Sequence, residues 1–220
     1  MYYLISNIFI CVCAFVSFIL GAVRFLKARK ALYAVMIVLG VGCIAYGRLY
    51  QVVRLIVGGN ILGEFQLGIL GVVGSLMFFF SANFGTMDTL ADDGSKSFKK
   101  YRIIALAAPI LALLLYLVFM LFADISLLWK IIGAVLCVFV MQTTYFNLKH
   151  LFFPDVDFGV IKCLKPYNAL AIVYAFLCIA EAVAMSRENE VFTLAVGVLT
   201  GITVLAIVPM LRRGVKQWTA

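Results

Sequence analysis

The sequence predicts an all-α integral membrane protein of seven transmembrane helices. Three observations carry that expectation: an apolar composition, a series of evenly apolar segments of bilayer-spanning length, and a one-sided distribution of lysine and arginine. Of 220 residues, 65% are hydrophobic and 13% charged, and the mean hydropathy is +1.13. A soluble domain is nearer roughly half apolar. The chain has room for about seven spans of roughly 20 residues with short loops, so one polytopic domain over residues 1–220 is expected.

The apolar runs are Tyr3 to Phe25, Ala31 to Val57, Ile61 to Gly85, Ile103 to Ala123, Ile125 to Asn147, Tyr167 to Met185 and Val191 to Met210. Each should be helical, because in lipid every backbone polar group must find its partner within its own segment, and the runs are too long and too evenly apolar for barrel strands. No basic stretch precedes the first run, which argues for a retained helix over a cleaved leader. The second carries Arg48 and Arg54 near its far end. The third holds Gly63, Gly68, Gly71, Gly74 and Ser75 at spacings of three and four, a face that another backbone could approach closely, followed by a bulky stretch from Met77 to Phe80 expected to meet lipid or a neighbouring subunit. Pro109 should kink or loosen the fourth. The fifth ends in Gln142, Thr143, Thr144, Tyr145 and Asn147, the sixth contains Glu181, and the seventh has no charged residue.

Fourteen of the 18 basic residues fall on one side: Arg24, Lys27, Arg29, Lys30, Lys96, Lys99, Lys100, Arg102, Lys149, Lys162, Lys165, Arg212, Arg213 and Lys216. The positive-inside rule then puts the N-terminus outside and the C-terminus in the cytoplasm of a bacterial-type inner or plasma membrane. The net charge of +8 is this topological signal spread over three loops and the tail, so nucleic acid is not an expected partner. Trp129 and Trp218 suit interfacial belts.

Function classes are narrowed mostly by exclusion. Five of the six cysteines lie within spans, no CxxC occurs, and Cys11 and Cys13 cannot share one helix face, so packing is expected and neither disulfide nor metal. His150 stands alone beside Lys149 and is expected at the interface, with no zinc site to join. No nucleophile, metal triad or paired carboxylate suggests an enzyme, and no cofactor is implied. The last span offers no lysine for a retinal Schiff base, and the Pro-Gln dipeptide of some seven-helix transporters is missing. A weak internal match, Cys43-Ile44-Ala45 with Cys178-Ile179-Ala180, is compatible with a 3+1+3 layout in which helices one to three and five to seven are parallel repeats.

Ionisable groups at depth are costly in hydrocarbon unless paired or wetted, and they carry the functional reading. Arg54 reaches the outer surface and can snorkel. Arg48 lies roughly 25 Å above the inner boundary and needs a partner. Glu64 at the start of the third helix, Glu181 as the deepest acid, and the more exposed Asp124 are the candidates. With Tyr46, Tyr50 and Gln51 this cluster could line a pocket for a small polar or charged ligand toward the outer leaflet, as in a transporter or receptor-like protein. Alternatively its charges fix helix packing in a non-catalytic structural or regulatory subunit, or meet lipid headgroups. A second polar cluster, Asn83, Asp88, Gln142 and Asn147, reads as interhelical glue or as an inner gate. The stretch from Phe152 to Phe158 should lie along the membrane surface, or dock a cytoplasmic partner.

Overall fold

The computed structural model describes residues 2–27, 31–58, 67–84, 88, 92–154 and 160–218. Among the described residues seven helices can be bounded, in order: α1 (Tyr2–Phe25), α2 (Leu32–Gly58), α3 (Gly68–Asn83), α4 (Lys96–Leu121), α5 (Leu127–Phe152), α6 (Val160–Ser186) and α7 (Glu190–Trp218). Among the described residues there is no strand. Six of the helices are long and apolar enough to cross a membrane, as expected of a multi-pass membrane protein. The described part of α3 is apolar but only 16 residues long, and the stretch leading into it, with Gly63 and Glu64, lies outside the described residues.

α4 is composite. A 3-10 turn (Lys96–Phe98) leads into α-helix Lys99–Ala105, which breaks at Leu106 before Ala107–Tyr116 and a closing π turn (Leu117–Leu121). Pro109 accounts for the break, because it has no N–H to offer the Ala105 carbonyl and its ring crowds that oxygen.

Six helices close into a ring. α1 packs on α2, α2 on α3, α3 on α5, α5 on α6, α6 on α7, and α7 returns to α1, while α4 stays outside, chiefly against α5. The contacts at the two seams run in step along both chains: Ser6 and Ser17 donate to the carbonyls of Thr193 and Val204 across α1 and α7. Thr143 donates to the Leu76 carbonyl and Asn83 to the Asn147 side chain across α3 and α5. Both seams therefore join parallel helices. This is the relation that the 3+1+3 layout requires, since carrying α1–α3 onto α5–α7 carries the α3–α5 seam onto the α7–α1 seam.

The ring is apolar outside and partly polar within. Val12, Val16, Ile19 and Val23 of α1 and Ile110, Leu114 and Val118 of α4 point outward and are exposed, as suits contact with lipid. Ser6, Asn7, Ser17, Arg48, Gln51, Ser75, Asn83, Thr143, Asn147, Asn168 and Glu181 are buried. Three expectations for large side chains change. Trp129 is 6% exposed and faces the ring interior instead of an interfacial belt. Phe79 is wholly buried, because only one side of the Met77–Phe80 run can face out of a helix. Phe153 is likewise buried, against Phe98 and Tyr101, which pins the end of α5 onto the start of α4.

The small residues of α3 do what their spacing implied. A Cβ added at Gly71 would stand 2.6 Å from the Cys43 carbonyl oxygen and 2.7 Å from the Gly47 Cα, so the backbones of α2 and α3 touch there. At Gly74 the nearest atom would be the Cys43 sulfur at 3.3 Å, a side chain with room to yield. Gly71→Ala should therefore cost about 1–3 kcal/mol of stability, and Gly74→Ala much less. Thermal unfolding in detergent compares the two, and equal losses would contradict the backbone contact.

Candidate functional site

Arg48 and Glu181 meet across the ring. α2 and α6 stand opposite one another in ring order. Sixteen residues of helix from Leu32 lift Arg48 about 24 Å, and fourteen from Tyr167 lift Glu181 about 21 Å, so the two side chains reach similar levels. Arg48 is 2% exposed and Glu181 4%. The guanidinium donates from Nη2 to the Glu181 carboxylate. From Nη1 it donates to Asn7 Oδ1 of α1 and to Gln51 Oε1, both at 3.0 Å. Gln51 is placed by helical geometry, three residues along the same face. Of the three acids that could answer Arg48, Glu181 does so; Asp124 is exposed, and Glu64 lies outside the described residues.

The cluster is almost but not wholly satisfied. Arg48 Nε and Glu181 Oε1 are buried without a hydrogen-bond partner among the described residues. Both residues border a cavity of about 30 Å³ whose other walls are Gln51, Ile69, Val72, Trp129, Ile132, Leu136, Cys178, Ala182 and Met185. That volume suits one water-sized group.

Tyr46 and Tyr50, expected in the same cluster, do not join it. Two residues before and after Arg48, they lie about 200° round the helix on the opposite side. Tyr46 is 60% exposed and sets its ring edge-on against Phe15 and Phe18 of α1, and Tyr50 is exposed as well. Arg54 is exposed at the far end of α2, as its position implied. Asn7, in turn, was not foreseen, although a lone amide in the first apolar run was a signal.

Below Arg48 an aromatic layer fills the ring. Tyr174 shares a hydrogen bond of 2.8 Å with Ser75, Tyr167 donates to the Phe79 carbonyl at 3.4 Å, and the Phe79 ring meets both tyrosines edge to face. Beyond this layer lies the second polar cluster. Asn83 of α3 donates to Asn147 of α5 and to Asn168 of α6, each at 2.9 Å, and its carbonyl oxygen contacts His150 Nδ1 at 2.9 Å. His150 Nε2 reaches Asp88 at 3.1 Å. Lys149 bridges Asp88 and Asp92 at 2.7 Å each, and Arg102 grips Asp92 through two bonds of 2.7 Å.

Asn83, Asp88 and Asn147 thus come together as expected, whereas Gln142 is exposed on the outer side of α5 and Thr143 faces inward in its place. His150 is buried in the network, where Asn83 and Asp88 bind both its nitrogens. The network ties α3, α5, α6 and the start of α4 together through Asp88 and the Asp92–Ser95 loop that precedes α4. Asp92 and Asp93 shape that loop by accepting from the Gly94 and Ser95 amides, and Gly94 takes the left-handed conformation with φ +80°.

Among the described residues no group of three His, Cys, Asp or Glu side chains could hold a metal ion. Cys11 and Cys137 are buried free thiols that act as weak donors to the carbonyls of Ala45 and Ala112. No family model, curated protein or solved structure matches the chain. The site's own residues supply a fixed cation, an acid held opposite it, and two amides that orient the cation.

Two tests follow from this geometry. Arg48→Met alone strands a buried carboxylate and should cost roughly 3–5 kcal/mol, whereas the double variant Arg48→Met/Glu181→Leu should be more stable than the single one. Thermal unfolding in detergent decides, and a double variant weaker than Arg48→Met would show that the charges do not act as a pair.

The second test concerns the Asp92–Ser95 loop before α4. The hydrogen bonds from Arg102, against the opposing effect of burial, hold the Asp92 carboxyl well below its ordinary range, with further help from Lys149 and the Gly94 amide. For Asp88, burial pushes up but the hydrogen bonds from His150 and Lys149 outweigh it, so it too is lowered from 3.8. Carboxyls depressed in the folded state stabilise it above their ordinary value and lose that contribution as the pH falls through the folded one. Amide exchange at Gly94 and Ser95 should be flat from about pH 7 to 5 once corrected for intrinsic rates, then rise below about pH 4. Asp92→Asn should raise it already at neutral pH.

Proposed function

We propose that this chain is a multi-pass membrane transporter or receptor-like protein, with its N-terminus outside and its C-terminus cytoplasmic. Its small polar or charged ligand binds at the Arg48 centre, toward the outer leaflet. The observation that carries the proposal is the buried Arg48–Glu181 pair, in which each partner keeps one unsatisfied polar atom and both border a common cavity. Intramembrane charges of this kind are costly, and substrate or ion paths are their commonest use. The one-sided basic residues support the orientation.

The cavity is small, and about 30 Å³ admits no more than a water-sized group. A larger ligand fits only if the helices part, and Trp129 of α5 and Met185 of α6, near the helix ends remote from the basic residues, line the cavity there. Arg48 favours a ligand with a small anionic group, which would take the place of the Glu181 carboxylate.

One observation favours a second reading, a non-catalytic subunit of a membrane complex. Arg48 already has three protein acceptors, enough for a purely structural role.

The deciding experiment screens the reconstituted chain against small carboxylates and zwitterions, by thermal shift and by uptake into proteoliposomes. The transporter or receptor reading expects a hit that is lost in Arg48→Ala and weakened in Gln51→Ala, with Gln142→Ala unaffected. Binding in folded Arg48→Ala equal to that of the wild type would sink it.

A further inference from the structure

Three arginines at the basic end of the ring are not used by either polar cluster. Arg24 of α1 and Arg212 and Arg213 of α7 line a groove of about 320 Å³, whose remaining walls are Leu20, Val208 and Pro209. All three arginines are exposed, and none forms an ion pair with a described acid. The contrast with Arg102 and Lys149 is informative, because Asp88 and Asp92 neutralise those two at the same end of the bundle.

We propose that this groove binds the phosphate headgroup of one anionic phospholipid. Three guanidiniums held on one groove with no acid between them repel one another until an anion joins them. Planar guanidinium groups match phosphate oxygens two at a time, which a scatter of lysines would not do. The groove also has an apolar track leading away from it. Leu20 is 53% exposed, and Ile19, Ile202 and Leu205 continue an apolar outer surface along the same two helices. A phosphate at the groove with acyl chains along that track satisfies both halves of a phospholipid, whereas a free phosphate ion would use only the arginines. Basic pockets between helix ends at a membrane surface suit such headgroups.

The place in the fold gives the lipid a task. α1 and α7 form one of the two seams that close the ring, and the groove sits where that seam reaches the membrane surface. A headgroup bridging Arg24 to Arg212 and Arg213 ties the first helix to the last.

The test uses the full chain, purified in detergent and exposed to an equal mixture of phosphatidylglycerol and phosphatidylcholine, with retained lipid counted by native mass spectrometry. The wild type should keep one phosphatidylglycerol in preference to phosphatidylcholine. In Arg212→Gln/Arg213→Gln that preference should fall on the order of tenfold or more. Arg24→Gln, on the opposite wall, should lower it too, so the outcome does not hang on one variant. Lys96→Gln/Lys99→Gln removes the same charge from exposed residues away from the groove and should leave retention unchanged. Wild-type retention in the arginine variants, or equal loss in the lysine control, overturns the site. If inorganic phosphate at millimolar concentration displaces the lipid and stabilises the phosphatidylcholine-bound chain as well as phosphatidylglycerol does, the occupant is free phosphate and the lipid assignment fails.

Discussion

Arg48 carries a charge that it cannot give up, in a place where lipid and apolar side chains offer nothing to solvate it. The helices around it must bring the solvation with them. α6 contributes a carboxylate, α1 an amide oxygen and α2 a second amide from its own next turn. No two adjacent helices could supply this set, so the pair forms only when the ring has closed and α2 faces α6. The hydrophobic effect cannot drive that closure within a membrane, since lipid tails are as apolar as the side chains they would release. Directional polar contacts inside the ring therefore set which helices are neighbours, and close packing then stabilises the arrangement.

The same reasoning explains why the interior is layered. Polar groups collect at two levels, around Arg48 and around Asn83, and the layer of Phe79, Tyr167 and Tyr174 lies between them. The tyrosines fit because their rings fill space as phenylalanine does while their hydroxyls find Ser75 and a backbone carbonyl. The lower level differs in character from the upper one. It is built largely of amides that bridge three helices at one point, then passes into ion pairs that belong to a loop. Around Arg48 a single charge pair dominates, and that pair retains two unsatisfied atoms.

Much of this was legible in the residues, and the exceptions have physical causes. The all-helical, multi-pass character and the need of Arg48 for a buried acid follow from hydropathy and from the cost of charge at depth. Small residues at spacings of three and four announced the α2–α3 contact. The misplacements were of facing, which apolar sequences encode poorly: when both lipid and core accept Phe, Trp and Tyr, periodicity does not say which side Trp129 or Tyr46 will take. Counting from Arg48 would have placed Tyr46 and Tyr50 on its far side, as 100° per residue demands. The burial of His150 had no local signal, because its partners, Asn83 and Asp88, are more than 60 residues away and no pattern links them.

The glycine seam between α2 and α3 bears on how the closed ring could ever move. At Gly47 and Gly71 the two backbones touch, with no side chains between them to slide or change rotamer. Gly47 is also the residue next to Arg48, so the arginine is mounted beside a joint with no side chain to yield. Glu181 hangs from α6, which meets α3 through the side chains of Tyr167, Asn168 and Tyr174. The two partners are thus unequally mounted, the arginine beside a bare backbone contact and the carboxylate on a helix held by side chains.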